Sequence, residues 1–283
     1  MIYIILGVLL FSFNNVLWKK NLGPSNVSFL VTYRSFFTSS IALLIILLFY
    51  STKQLTVFNL IKITAGSLFG VIGLFSMLNV IKKNSLQWVG IYNLMGIVFT
   101  SLYLWFFENI NIFENTIGIS IIILGFIFFV FSSSNSEIKI TLKQHFSLLI
   151  MTFCFTVSSL IHWKNLTNQI PPVFIIANQE LIVFIVGLSF TLVHNKKVEI
   201  VSLIKSQFNN VIIMSTVVIA ALLCSFSGLK IMNPFISGLV FLASPLTTIL
   251  FSSFFFKERI SIKTWSSITI ISIGAFIIYL QTL

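Results

Sequence analysis

The stretch PFISGLVFLASPLTTILFSSFFFKER, residues 234–259, contains the pattern that decides the fold of this chain. Its apolar part is close to the roughly 20 residues that a helix needs to cross the hydrocarbon core of a bilayer. Ser244-Pro245 interrupts the run once, and a charged triplet at residues 257–259 ends it. Because charged residues collect where a spanning helix leaves the membrane, the stretch predicts a transmembrane helix.

A second copy of this pattern lies half a chain earlier. Both runs end in Phe-x-Glu-x-Ile-x-Ile, at residues 106–112 and 256–262. Each is followed by another apolar run that carries a glycine, Gly125 in the first copy and Gly274 in the second. The rest of the two copies shares little sequence, so the similarity is one of position. It predicts a duplicated membrane unit.

The composition is that of an integral membrane protein. The chain has 283 residues, of which 57% are hydrophobic and 8% are charged, whereas a soluble domain carries about 25% charged residues. No aspartate is present, which excludes paired-aspartate metal sites and intramembrane aspartyl chemistry. The formal charge of +11 comes largely from lysines at the ends of apolar runs. This distribution is typical of interfacial anchors, and we expect no nucleic-acid partner.

Short segments with charged residues, asparagine, glycine or proline separate the apolar runs and predict ten helices. Strands are not expected, because the backbone in lipid must satisfy its hydrogen bonds within the segment and no alternating pattern is present. The predicted helices cover residues 2–18, 27–50, 60–81, 85–107, 115–133, 146–163, 173–193, 208–229, 235–256 and 263–281.

The ten helices divide into two sets of five. Residues 1–133 form the first five-helix repeat, 134–145 a linker, and 146–283 the second repeat. Since five is odd, the second set must enter the membrane from the opposite side. The predicted fold class is therefore an all-α polytopic membrane protein with two inverted repeats.

Several features with this order and spacing point to a known family. They are Trp18-Lys19 and Trp163-Lys164 at the end of the first helix of each half, Arg34 soon after Pro24, Ala243-Ser244-Pro245 within helix 9, and Glu258-Arg259 at its end. Over nearly its whole length, the chain resembles the EamA group of the drug/metabolite transporter superfamily. The resemblance implies a multi-pass transporter in the cell membrane, the bacterial inner or plasma membrane, with both termini in the cytoplasm. The positive-inside count of lysines and arginines would instead place both termini outside.

Two ionisable residues lie in the middle of predicted helices. Arg34 is ten residues past Pro24 and Glu180 is eight past Pro172, in helices 2 and 7, which are counterparts in the repeat. Ionisable groups at this depth cost roughly 2.5 to 3.5 kcal/mol on insertion, so they are functional candidates. We expect the two side chains to act together, either in a substrate or proton site or as a structural pair that joins the halves.

Amide and aromatic groups supply the other candidates for a substrate site. Polar and aromatic residues on shared helix faces are typical of a pocket for a small amphipathic solute. For Trp18 and Trp88 an interfacial aromatic belt is the alternative, and for Pro245 a fixed kink is the alternative to a hinge. The candidate substrate-binding residues are Asn14, Trp18, Lys19, Arg34, Trp88, Tyr92, Asn93, Asn178, Glu180 and Ser244, with Pro245 as a candidate hinge.

The sequence favours a secondary transporter or exporter of small metabolites, amino-acid-like or amphipathic, that works by alternating access. A lipid-handling, flippase-like protein is an alternative, and a membrane-embedded enzyme is a further one, although no H-E-x-x-H or G-x-S-x-G motif occurs. We expect no cofactor and no metal, since the three histidines have no second ligand at helical spacing. The expected partners are a small-molecule substrate and the lipid bilayer, with the chain a monomer or homodimer.

Overall fold

The structure, a computed structural model, is helical throughout its described part. That part comprises residues 2–22, 27–50, 56–82, 84, 86–108, 116–133, 140–194, 197–231, 243–257 and 261–281. Within it lie ten helices and no strand. In chain order they are α1 (Ile2–Leu22), α2 (Val27–Phe49), α3 (Val57–Ile81), α4 (Leu86–Glu108), α5 (Thr116–Ser133), α6 (Leu142–Thr167), α7 (Pro172–His194), α8 (Lys197–Ile231), α9 (Ala243–Phe256) and α10 (Ile262–Gln281).

Seven of the described helices are long and apolar enough to cross a membrane. They are α1 to α4, α6, α7 and the part of α8 at residues 205–231. Large apolar side chains on their outer faces are exposed, as Leu47 (76%) and Leu192 (67%) illustrate. In a soluble protein such surfaces would be an aggregation hazard, whereas lipid tolerates them. The chain is therefore a multi-pass membrane protein.

Two helices, α6 and α8, begin at least four residues earlier than the apolar runs predicted. α6 begins at Leu142 rather than at 146, because Thr141 caps it: the Gln144 amide N–H donates to Thr141 Oγ1 (3.4 Å), and the Thr141 N–H donates to Gln144 Oε1 (2.9 Å). This capping box converts part of the predicted linker into helix. α8 begins at Lys197 rather than at 208. Hydropathy locates the apolar part of a helix, and a helix that contains no proline can continue into the polar interface.

The largest contacts between helices join the two halves of the chain. α1 packs against α8 and α3 against α6, while α2 faces α7, α4 faces α9 and α5 faces α10. Replacing each helix by the one five places along the chain returns the same set of pairs. The halves are therefore interleaved, and the space between them is enclosed by helices from both.

A row of glycines in α3 allows α6 to approach closely. A Cβ on Gly66 would overlap the His162 ring, and one on Gly73 would overlap Phe155. Gly70 lies between them against Ser158. The three glycines therefore form a close helix contact with α6, and Gly70 also borders the cavity described below.

The α5 and α10 contact is reciprocal. A Cβ on Gly125 of α5 would overlap Ile271 of α10, and a Cβ on Gly274 of α10 would overlap Ile122 of α5. Gly125 and Gly274 are separated by 149 residues, and so are Ile122 and Ile271. Each glycine therefore contacts the isoleucine at the equivalent position of the other half. The glycines that first indicated a duplication therefore lie in one self-complementary contact.

We expect Gly125→Leu to destabilise the protein strongly. The added side chain has no space between α5 and α10, and overpacking of a well-packed interior costs about 1–3 kcal/mol or more. The thermal unfolding midpoint in detergent measures the effect. Ser120→Leu, on an exposed position of the same helix, is the matched control and should leave the midpoint unchanged. Equal midpoints for the two variants would contradict the close α5 and α10 packing.

Candidate substrate cavity

A cavity of about 320 Å³ lies between the two halves. Helices α1 to α4 and α6 to α9 all contribute to its wall. It is elongated, because Thr152 and His162 both line it, and ten residues of helix α6 extend about 15 Å. Its volume lies at the lower end of the roughly 300–1,000 Å³ found for small-molecule sites.

An ion pair lies in the cavity wall. The guanidinium Nη2 of Arg34 in α2 donates to Glu180 Oε2 in α7 at 2.7 Å, and the two side chains are 2% and 3% exposed. The carbonyl of Arg34 accepts a hydrogen bond from Ser215 Oγ in α8 at 3.1 Å. The sequence predicted that these two residues act together, and the structure places them in direct contact. A buried pair of this kind keeps both groups charged at a depth where either alone would be expensive.

Trp18 forms the aromatic part of the wall beside this pair. Its side chain is completely buried, and its ring centroid is 5.4 Å from Arg34 Cζ. This geometry is that of a cation–π contact. The indole Nε1–H has no hydrogen-bond partner among the described residues. The interfacial-belt interpretation of Trp18 is therefore wrong.

Three of the other predicted residues also line the cavity. They are Asn14 of α1, Asn93 of α4 and Ser244 of α9. Asn14 is 4% exposed, and no described residue donates a hydrogen bond to its Oδ1. The carbonyl of Ser244 accepts a hydrogen bond from Ser12 Oγ at 3.2 Å, which joins α9 to α1. The proposed hinge at Pro245 lies in α9, but its side chain is outside the described part of the structure.

Four of the predicted residues lie outside the wall of this cavity. Lys19 places its Nζ 4.8 Å from the Phe256 ring centroid. The Asn178 amide accepts from Ser67 Oγ (2.8 Å) and donates to Thr64 Oγ1 (3.2 Å), so it joins α7 to α3. The remaining two, Trp88 and Tyr92, lie in a separate aromatic cluster.

That aromatic cluster lies where α4, α5 and the beginning of α6 meet. The Tyr92 hydroxyl forms a hydrogen bond with His145 Nδ1, and the Trp88 ring contacts Phe129 edge-on at 4.9 Å. Tyr92 also packs edge-on against Phe126 at 5.0 Å. Tyr92 and Asn93 are consecutive in α4, and consecutive residues of a helix point about 100° apart. Asn93 therefore reaches the cavity while Tyr92 turns towards α5 and α6.

The sequence analysis missed the contribution of α6. Thr152, Thr156, Ser159 and His162 all line the cavity and recur every three or four residues. This spacing places polar groups on one face of an otherwise apolar helix, and lipid tolerates such a face poorly. The signal is present in the sequence, where the histidines were considered only as possible metal ligands.

Comparison with known proteins agrees with this architecture of a polytopic helical transporter. A family model described as the EamA-like transporter family matches residues 142–280. Residues 142–280 therefore form an EamA-like transporter domain, of the drug/metabolite transporter superfamily, which confirms over these residues the resemblance stated from the sequence. No curated protein matches the chain.

The crystal structure of another protein has the same fold. It matches with a TM-score of 0.69 and 14% identity, over 97% of this chain and 96% of that one. At this identity the likeness concerns the fold alone.

Proposed function

We propose that this protein is a secondary transporter or exporter of small amino-acid-like or amphipathic metabolites. The central cavity is its substrate site, and alternating access exposes that site to each side of the membrane in turn. The observation that carries the proposal is the buried Arg34 and Glu180 pair in the wall of a cavity shared by the two halves. Charged residues inside a membrane protein mark substrate and proton pathways more often than they mark simple packing.

The charge of the cavity wall favours a zwitterionic or neutral solute. Arg34 and Glu180 neutralise each other, so a solute with net charge would leave one charge without compensation. A zwitterion can instead separate the pair, with its carboxylate on Arg34 and its ammonium group on Glu180. Apolar side chains such as Phe11 and Val218 would hold the remainder of such a solute.

Glu180 also suits a role in coupling. When the solute leaves, the carboxylate can return to Arg34, or it can take up a proton while the cavity faces the more acidic side. Exchange of a proton for a solute at a single site drives transport against a gradient. The proposal therefore gives the ion pair two states, one in which Arg34 and Glu180 contact each other and one in which the solute separates them. The match to a transporter family supports this role over a catalytic one.

We further propose that all ten helices span the membrane as two inverted five-helix repeats. Exchange of the two halves converts the α1 and α8 pair into the α6 and α3 pair. It leaves the other three pairs, α2 with α7, α4 with α9 and α5 with α10, unchanged, as a two-fold axis requires. The reciprocal Gly125 and Gly274 contacts support the same axis. Because each repeat has an odd number of helices, that axis would lie in the membrane plane.

Labelling from the two sides of the membrane tests this topology. In a variant with both cysteines replaced by serine, single cysteines would be introduced at Lys20 and Thr167, which end α1 and its counterpart α6. A second pair, Lys82 and Lys230, lies near the ends of α3 and its counterpart α8. We expect a membrane-impermeant maleimide to label Lys20→Cys and Lys82→Cys from one side and the other two from the opposite side. Labelling of both members of a counterpart pair from one side would contradict inverted repeats.

Uptake of a metabolite mixture tests the function itself. Purified protein in liposomes would be given a mixture of amino acids and small amphipathic metabolites under an imposed pH gradient, and the lumen would be analysed by mass spectrometry. We expect neutral or zwitterionic solutes to accumulate faster than in protein-free liposomes. No difference from protein-free liposomes, with the gradient in either direction, would contradict the proposal.

A further inference from the structure

We propose that His162 forms a second polar subsite in the same cavity, which binds a hydroxyl or carboxamide group at the far end of the solute. This inference rests on the proposed function, since it assigns the part of the substrate that lies away from the ion pair. It makes His162 a specificity-determining residue rather than a structural one.

The positions of side chains along α3 locate this subsite relative to the ion pair. Gly66 faces the His162 ring, while Gly70, one turn further along, faces Ser158 and the amide of Gln179. Four residues of helix correspond to about 6 Å. Since Gln179 adjoins Glu180 in α7, His162 lies roughly one helical turn beyond the level of the ion pair. A solute that reaches both must therefore be longer than a simple amino-acid backbone.

His162 is buried without satisfying its hydrogen-bonding groups. The residue is 1% exposed, and neither Nδ1 nor Nε2 has a hydrogen-bond partner among the residues that the structure describes. Two apolar groups adjoin the ring, which packs over Gly66 and meets Phe226 edge-on at 5.5 Å. A buried polar group without a partner destabilises the fold, because its hydrogen bonds to water are lost and not replaced. A structural role does not account for an imidazole here, because an apolar side chain would fill the same space at lower cost.

The chemistry of the imidazole indicates what it would bind. An imidazolium in this apolar surrounding would be an isolated buried charge, so the neutral ring is the form that fits. A neutral imidazole offers one donor and one acceptor. Hydroxyl and carboxamide groups both donate and accept, so either satisfies the two nitrogens, whereas an alkyl or phenyl terminus satisfies neither.

Thermal unfolding of the ligand-free protein tests the subsite without knowledge of the substrate. We expect His162→Leu to raise the unfolding midpoint by at least about 2 °C, because the substitution removes the unsatisfied polar groups. The matched control is His145→Leu on the same helix. His145 has a partner in Tyr92, so its replacement should lower the midpoint. A fall in the midpoint for His162→Leu comparable to that of His145→Leu would overturn the proposal, because it would show that His162 stabilises the fold.

Equilibrium binding tests the specificity. The probes are L-tyrosine against L-phenylalanine and L-glutamine against L-norleucine, each pair differing mainly in the terminal polar group. We expect the wild-type protein to bind the polar member of at least one pair about 10-fold more tightly, which is the contribution of one good hydrogen bond. His162→Leu should lose this preference and His162→Gln, which still donates and accepts, should keep most of it.

The outcomes separate this proposal from the one on which it rests. A preference that survives in His162→Leu, or binding of both members of each pair with equal affinity by the wild-type protein, would overturn the subsite. Failure of all four solutes to bind would count against the amino-acid-like substrate, and the unfolding midpoint of His162→Leu would still decide the role of the histidine.

Discussion

Arg34→Met and Glu180→Met, introduced singly, should each reduce the yield of folded protein and abolish transport. Each substitution leaves the opposite charge buried without its partner, and loss of one member of a buried pair costs about 3–5 kcal/mol. The double variant removes both charges and replaces them with apolar groups of similar volume. We expect it to recover folding, with an unfolding midpoint near that of the wild-type protein, but not transport. Folded yield and unfolding midpoint in detergent, together with uptake into liposomes, measure the three variants.

Glu180→Gln separates the structural part of the pair from its role in coupling. The amide oxygen can still accept the hydrogen bond from Arg34 Nη2, so the fold should be retained. The group can no longer take up a proton in the relevant range, so transport should lose its dependence on the pH gradient. If transport by Glu180→Gln remained pH-dependent, or if the double methionine variant transported normally, the pair would be structural only.

Asn14→Leu should reduce transport by at least about 10-fold while leaving the fold at least as stable as in the wild-type protein. Asn14 is buried in the cavity wall, and its Oδ1 has no partner in the described part of the chain. Loss of one hydrogen bond to a bound solute accounts for about a 10-fold weaker affinity. The initial rate of uptake at a solute concentration well below saturation measures the change.

The matched control for Asn14 lies two turns away on the same helix. Asn21 is also buried, but its Nδ2 donates to the Leu17 carbonyl at 2.8 Å and it does not line the cavity. Asn21→Leu should therefore lower the unfolding midpoint and leave transport per folded molecule unchanged. The opposite pattern, with Asn14→Leu unstable but fully active, would assign Asn14 to the fold rather than to solute binding.

The helical architecture could be predicted from the sequence because hydropathy and its interruptions follow directly from the thickness of the bilayer. The limits of the helices were harder to predict. The Thr141 and Gln144 capping box, a local signal, extends α6 into the predicted linker, and α8 continues past its apolar segment in the direction of the N-terminus. Local hydrogen bonds decide where a helix begins, and the average hydropathy of a window does not report them.

The ion pair could be predicted from the sequence because depth and sign alone restrict a charge in a membrane to few partners. Arg34 and Glu180 had opposite sign and matching depth in counterpart helices, and they meet. Side-chain direction could not be predicted in the same way. Tyr92 binds His145 instead of lining the cavity, and Asn178 joins two helices, because the rotation of each helix about its axis is set by packing with its neighbours.

The α6 wall shows a further limit of single-residue reasoning. His162 and Thr152 are unremarkable one at a time, and only their shared face identifies them as part of an internal surface. The glycines of α3 then determine how closely that face approaches. Polar residues at helical spacing within an apolar run are therefore the sequence signal for such a face.

Chemical blockade of the cavity is the most direct test of the central claim that solute crosses the membrane through it. Ser159 of α6 lines the cavity and is exposed, so a cysteine at this position in a protein without other cysteines is open to a small thiol reagent. Ser189 of α7 is an exposed position outside the cavity wall and is the control. We predict that labelling of Ser159→Cys stops uptake, that the transported solute slows this labelling, and that labelled Ser189→Cys transports normally. Undiminished uptake by fully labelled Ser159→Cys would contradict the assignment of the cavity as the transport path.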